Sequence, residues 1–225
     1  MPEQLILDLP HLAAQGAEDF LVSSSNQAAV EMVGRWPDWS GPAVVLCGPS
    51  GVGKSHLINV WKMRSGATVI PAIDLDENVA GKLGPEEHLA VEGLHHGIAS
   101  EKALFYRLNM AREHRGSLLM TSRYPPGELE LVLPDLRSRL RAVPVLVIAP
   151  PDDALLQSLL VKLFADRQWH VEPAIIKFIL THMERSAEAA NAIVAEMNHL
   201  ALATQRKATR ALAKEVIGKL FPIKH

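Results

Sequence analysis

Residues 43–55 read Ala43-Val44-Val45-Leu46-Cys47-Gly48-Pro49-Ser50-Gly51-Val52-Gly53-Lys54-Ser55, an apolar run that breaks into a glycine-rich loop. The last eight residues fit the pattern G-x-x-x-x-G-K-[ST]. A strand-like run precedes them and a helix-like run, residues 56–63, follows, which is the context that the pattern requires. Four matched positions arise by chance in roughly one chain in a hundred of this length. Glycines let backbone N–H groups curl round phosphate oxygens, and the following helix N-terminus adds a favourable partial charge. Lys54 is then placed to reach the outer phosphates, and Ser55 offers the hydroxyl that completes Mg2+ coordination. The loop Gly48, Pro49, Ser50, Gly51, Val52, Gly53, Lys54 and Ser55 predicts a purine-nucleotide site.

Working outward, strand-like apolar runs recur at 68–71, 89–92, 117–121 and 143–148, with helix-like stretches between most of them. That alternation predicts an α/β fold, a parallel sheet covered by helices. Within 101–114, Leu104, Leu108 and Ala111 share one helical face while Arg107, Arg112 and Glu113 fall elsewhere. After Ala149-Pro150-Pro151 the character changes. Asp152-Asp153 reads as a helix start, and the remainder carries helical periodicity without a convincing strand. Ala190, Ile193, Val194, Met197, Leu200 and Ala201 form one apolar stripe there. The chain therefore divides into a peptide and linker (1–16), a nucleotide-binding α/β domain (17–150) and a small all-helical domain (151–225).

The 225 residues are 48% hydrophobic and 21% charged, enough to bury a core, and the formal charge of −2 supplies no basic footprint for duplex DNA. Direct sequence-specific DNA binding is not expected. The single cysteine, Cys47, excludes an internal disulfide framework and reads as a small core residue. No segment reaches the roughly 20 apolar residues needed to span a bilayer, and the N-terminus lacks a secretion signal. No membrane partner and a cytoplasmic location are expected. The tryptophans read as packing residues, and the adjacent His95-His96 as part of a surface loop rather than a metal site.

Three further places bear on phosphate chemistry. Glu92 ends the run Leu89-Ala90-Val91-Glu92, where a second Mg2+-side group is normally found. Gly93 follows it where an acidic residue would polarise the attacking water, so binding without fast hydrolysis is expected. Thr121 or Ser122, at the end of another strand, would sit beside the terminal phosphate if that strand neighbours the loop strand. Arg137 and Arg139, in Leu136-Arg137-Ser138-Arg139-Leu140, could project a finger toward an adjoining subunit.

Asp19-Phe20-Leu21-Val22, the phosphate loop, Thr121-Ser122 with Pro125-Pro126, and Leu133-Pro134-Asp135-Leu136-Arg137-Ser138-Arg139-Leu140 together resemble the AAA+ module of the DnaA replication initiator. More closely the chain resembles the Hda-type regulatory inactivators, which keep the AAA+ core and helical lid but lack the initiator's C-terminal DNA-binding domain. The resemblance implies ADP or ATP as nucleotide, ADP above all, and a base pocket at Phe20, Leu21 and Val22. It implies a DnaA-type initiator as partner, with Arg139 as a finger acting in trans, and leaves a homo-oligomer open. It also implies that Gln4, Leu5, Leu7 and Leu9 form a peptide docking on the DNA polymerase sliding clamp. Alternating leucines on a chain end can fill an apolar pocket as an extended peptide, and glutamine supplies amide hydrogen bonds. Three residues depart from the pattern: Gly93 replaces an acidic residue, Arg123 stands where the initiator has an acidic one, and the lid arginine expected near Glu188 is missing unless Arg185 reaches in.

Overall fold

The five apolar runs form the five strands of one sheet: β1 (Ala43–Cys47), β2 (Thr68–Pro71), β3 (Leu89–Glu92), β4 (Leu118–Ser122) and β5 (Val145–Val147). The computed structural model describes residues 22–204 and 207–221. All pairings are parallel, in the order β2-β3-β4-β1-β5. The fourth strand starts one residue later than its apolar run, and the fifth is shorter than predicted. Pro144 lacks an N–H to donate, yet its carbonyl accepts from Val45 (2.9 Å) and leads β5 into register. β1 lies between two neighbours and is buried along its whole length, which is why its sequence is continuously apolar rather than alternating.

Five helices accompany the sheet: α1 (Gln27–Gly34), α2 (Lys54–Ser65), α3 (Glu77–Lys82), α4 (Glu101–Glu113) and α5 (Pro134–Arg141). Four more follow: α6 (Asp153–Ala165), α7 (Pro173–His182), α8 (Ala187–Thr204) and α9 (Arg210–Leu220). Their starts are set by ordinary capping chemistry. Asp76, Ser100, Asp152 and Thr209 each accept a backbone N–H from the third residue along, and Pro134 and Pro173 open α5 and α7 where a missing N–H costs nothing.

Alternate residues of the strands feed two cores, one on each face. Val45, Leu89, Val91 and Met120 pack with Leu104, Leu108, Leu136 and Leu140 on one side. On the other, Val44, Leu46, Ala90 and Leu119 pack with Val33, Leu57, Ile58 and Trp61. Trp61 is fully buried, stacked on Trp39 (5.5 Å between ring centroids) and edge-on to Trp36 (6.3 Å). A third cluster, including Leu160, Phe164, Ile179, Ile193, Met197, Leu212 and Val216, joins α6 to α9. The predicted stripe on α8 is buried except for Leu200, which is half-buried. Trp169 stacks on Phe164.

Arg107 departs from the sequence expectation. The expectation set it apart from Leu104, Leu108 and Ala111, but positions 104, 107, 108 and 111 follow the i, i+3, i+4, i+7 spacing of a single face, and Arg107 is fully buried there with them. Its guanidinium donates to the carbonyls of Leu83 (3.2 Å), Gly84 (3.0 Å) and Glu87 (3.2 Å), in the loop that follows α3. The burial of its charge is offset by these bonds from the two terminal nitrogens, which tie down a segment otherwise without regular structure, while the buried Nε has no hydrogen-bond partner. Among the described residues no helix is long and apolar enough to cross a membrane.

Candidate functional site

The phosphate loop connects the C-terminal end of β1 to the first residue of α2, so its backbone wraps the helix N-terminus. Lys54 does not extend outward. Its ammonium donates to the carbonyls of Gly48 (2.7 Å) and Pro49 (2.5 Å), bridging the base of the loop. Burial pushes the Lys54 ammonium below the usual lysine range; Cys47 partly offsets this and the nearby Arg123 charge adds to it. Gly51 has a left-handed backbone (φ +73°), and a Cβ there would lie 2.7 Å from Cβ of Ser186. Glycine is thus needed at position 51 for close approach as well as for conformation. The Ala187 N–H at the start of α8 donates to the Gly51 carbonyl (3.2 Å), so the helical part rests directly on the loop.

Because β4 lies between β1 and β3, the carboxyl ends of these three strands open onto one cavity of about 780 Å3, closed on the far side by α6 and α8. One end is polar, with residues 50–55, Glu92, Thr121 and Arg123 in its wall. The other end is largely apolar, built from Ala149, Pro151, Leu155, Leu156 and Leu159. Thr121 and Ser122 now separate. Thr121 lines the cavity, and its hydroxyl accepts the Gly93 N–H (3.0 Å), which joins the ends of β3 and β4. Ser122 is fully buried and its hydroxyl accepts the Tyr124 N–H (3.2 Å), a turn contact.

The predicted residues sort as follows. Ser50, Gly51, Val52, Gly53, Lys54, Ser55, Glu92 and Thr121 share the cavity wall, while Gly48 and Pro49 supply the carbonyls that hold Lys54. Val22 is exposed and lies outside that wall. Its expected place is taken by Ser25 and Asn26, fixed where the Ala149 N–H donates to the Ser25 carbonyl (3.0 Å) and the Asn26 amide oxygen accepts the Ser23 N–H (2.9 Å). Phe20, Leu21, Gln4, Leu5, Leu7 and Leu9 lie outside the described residues. Arg185 does not reach in: it pairs with Asp153 on the surface (2.8 Å), and Glu188 lines the cavity instead. Arg137, within α5, donates to the Leu131 carbonyl (2.6 Å) in the loop that precedes that helix. Arg139 is half-buried in the last turn of α5, with its guanidinium carbon 5.8 Å from the Phe105 ring centroid, and is not part of this cavity's wall.

Sequence reasoning missed His95 and His96. Read as part of a surface loop, they sit in a single 3-10 turn, Leu94–His96, just after the end of β3, with His96 exposed, and both line the cavity. Their distance along the chain, three and four residues past Glu92, was the available signal. Gly93 has φ +77°, and a Cβ there would lie 2.9 Å from Cδ2 of His96. The imidazole thus stands against the place from which an acidic side chain at 93 would start. Gly93→Asp is accordingly expected to lower stability by about 1–2 kcal/mol, through both the left-handed backbone and the displaced ring, without creating fast hydrolysis. Thermal unfolding and phosphate release measure the two effects; faster hydrolysis at undiminished stability would contradict this account. Among the described residues no group of three or more His, Cys, Asp or Glu is placed to hold a metal ion by itself.

A parallel five-stranded sheet with helices on both faces, a glycine-rich loop at the end of β1 and a C-terminal helical cluster make this an AAA+ P-loop NTPase fold. The chain is similar to the chromosomal replication initiator protein DnaA of Cutibacterium acnes, 23% identical over a 230-residue alignment that covers 91% of this chain and 46% of that protein. It thus spans about half the length of this relative. Domain III of the Thermotoga maritima initiator DnaA superposes with a TM-score of 0.75 at 17% identity, covering 91% of this chain and 96% of that one. AMPPCP-bound DnaA from Aquifex aeolicus gives 0.67 at 17% identity, covering 80% and 64%. Thermotoga maritima RuvB gives 0.70 at 13% identity, covering 95% and 74%. No protein-family model matches the chain.

Proposed function

We propose that this chain is a regulatory AAA+ protein that binds ADP or ATP with Mg2+ and, held at the DNA polymerase sliding clamp, promotes ATP hydrolysis by a DnaA-type initiator, so that replication initiation is switched off. The observation that carries this reading is the end of β3. A phosphate site with its loop, lysine and serine in place has Glu92 there, followed by a glycine with His96 packed against it. Such a site can hold a nucleotide but lacks the second carboxylate that would activate water.

The phosphates lie in the loop, with backbone N–H groups and Lys54 as donors, and the base occupies the apolar end between Pro151 and the α6 leucines. The Ser55 hydroxyl and Glu92 would hold Mg2+, the sparse protein ligation usual for this ion, and the ion would supply charge neutralisation to the phosphates. Bound nucleotide bridges the loop to α6 and α8 and so sets the surface that meets a partner. Arg139 acts in the partner's site, supported by its place outside this chain's own cavity and by the engagement of Arg137 with Leu131. The relative in Cutibacterium acnes is named as a replication initiator, and the Aquifex aeolicus DnaA was solved with AMPPCP; both agree with an initiator-linked nucleotide site.

The test is reconstitution of this protein with clamp-loaded DNA and initiator carrying labelled ATP. Conversion to ADP-initiator is expected only when clamp and regulator are both present. Changing Gln4 and Leu5 to alanine should abolish both retention on immobilised clamp and the conversion, while nucleotide binding persists; undiminished clamp retention would refute the tether. The complete Gly-Lys-Ser loop favours one other reading, a self-acting AAA+ ATPase such as a helicase-loader-like protein. Steady multiple-turnover hydrolysis by the isolated protein would establish that reading instead.

A further inference from the structure

Beside Glu92 stands a side chain that neither the phosphate loop nor the finger requires. His95 lines the polar end of the cavity, and its Nδ1 accepts the backbone N–H of Arg123 (3.2 Å), the residue just past the end of β4. That contact decides the tautomer. A neutral imidazole whose Nδ1 accepts a hydrogen bond carries its proton on Nε2, and so presents one N–H donor on the side away from Arg123. Burial lowers the His95 pKa, and His96, Lys54 and Arg123 lower it further, so the ring stays neutral near pH 7. In this state neither nitrogen is free to take a proton from water. The ring is a donor and not a base.

The ring is also held in place. His96 lies against it, 3.9 Å between centroids, and Tyr124 meets it edge-on at 6.3 Å and 88°. Arg123 lines the same end of the cavity and adds a positive charge there. Gly93 permits this arrangement, since a side chain at 93 would displace His96 and with it one wall of the His95 ring. A neutral donor with a fixed orientation, beyond the lysine of a phosphate loop and next to a cation, is suited to an anionic oxygen on the outermost phosphate.

We propose that His95, aimed by the Arg123 backbone and walled by His96 and Tyr124, reads the terminal phosphate of the bound nucleotide and sets how this site discriminates nucleoside triphosphate from diphosphate. The inference rests on the nucleotide site proposed above and adds a specificity-determining residue to it. The outer phosphate is thereby sensed at the start of the segments after β3 and β4, and a diphosphate leaves this donor unused.

The experiment is calorimetric titration of the full chain with ADP and with AMPPCP, each with Mg2+. In His95→Ala the ratio of AMPPCP affinity to ADP affinity should fall about tenfold relative to the parent protein, the effect of losing one hydrogen bond to a charged group. Tyr124→Ala alters a half-exposed side chain and keeps the test open if the first variant does not fold; it should lower the same ratio about threefold. A parental ratio in the variants that fold overturns the inference alone. Parent protein that binds neither nucleotide overturns the nucleotide site, and this inference with it. His95→Gln, which restores an amide donor, should recover part of the ratio.

Discussion

Arg139→Ala is expected to remove stimulation of the initiator's ATPase by about a thousandfold, the scale on which a finger supplied in trans acts, while the protein keeps its fold and its own nucleotide. The side chain is half-buried and its guanidinium lies over the edge of the core at Phe105, so truncation costs only a surface cation–π contact and one charge near the end of α5, about 1 kcal/mol or less. The separation between a small stability change and a large functional one is the content of the prediction. Arg139→Lys should not rescue, because a single ammonium cannot reproduce the planar fork that spans two phosphate oxygens. The measurement is conversion of initiator-bound ATP to ADP with clamp-loaded DNA and each variant. Full stimulation by Arg139→Ala would remove this residue from the mechanism. Arg137→Ala is the informative control: its guanidinium holds the Leu131 carbonyl, so its loss should loosen the loop before α5 and show as a stability change.

Lys54→Ala should weaken binding of ADP and AMPPCP on the order of a hundredfold, as expected when one partner of a desolvated, hydrogen-bonded charge pair is removed. In the structure the ammonium also bridges the Gly48 and Pro49 carbonyls, so the substitution takes away an internal brace along with the ligand contact. The nucleotide-free variant is therefore expected to be less stable by about 1 kcal/mol. The parent protein should gain thermal stability from saturating nucleotide by mass action, and the variant should not at the same concentration. Titration calorimetry and thermal unfolding with and without nucleotide give both numbers. Near-parental affinity in Lys54→Ala would place the nucleotide elsewhere on the chain.

Much of the frame was legible because it depends on neighbours along the chain. Three of the five apolar runs coincide with the observed strands, and the other two differ only at their ends. The loop needs glycines, lysine and serine at fixed spacing between a strand and a helix, a pattern that holds wherever the segment lies in the fold. The helical stripe on α8 follows from a 3.6-residue period in the same way. What was misjudged was partly local and partly set by distant segments. Arg107 was separated from the Leu104, Leu108 and Ala111 face although its position, three residues past Leu104, lies on that face; what its helix alone cannot reveal is that the carbonyls of Leu83, Gly84 and Glu87 meet its guanidinium. Arg185 was a candidate for the cavity by proximity to Glu188, but Asp153, more than thirty residues earlier, holds it outside.

By itself the sequence determined the sheet-and-helix class and the phosphate loop, since both are written in local spacing and residue type. Only the tertiary structure decided what surrounds that loop. The order β2-β3-β4-β1-β5 puts Thr121 and Glu92 at the same opening as Lys54, and α8 comes to rest on Gly51. The same arrangement makes the His95-His96 pair, read from the sequence as part of a surface loop, part of the wall. Adjacency between strands is a property of chain topology, and no local pattern encodes which ends will meet. For this protein the glycine-rich loop was visible in a dozen residues, while the part of the cavity wall built by His95, His96 and Arg123 emerged only from packing between segments far apart in sequence.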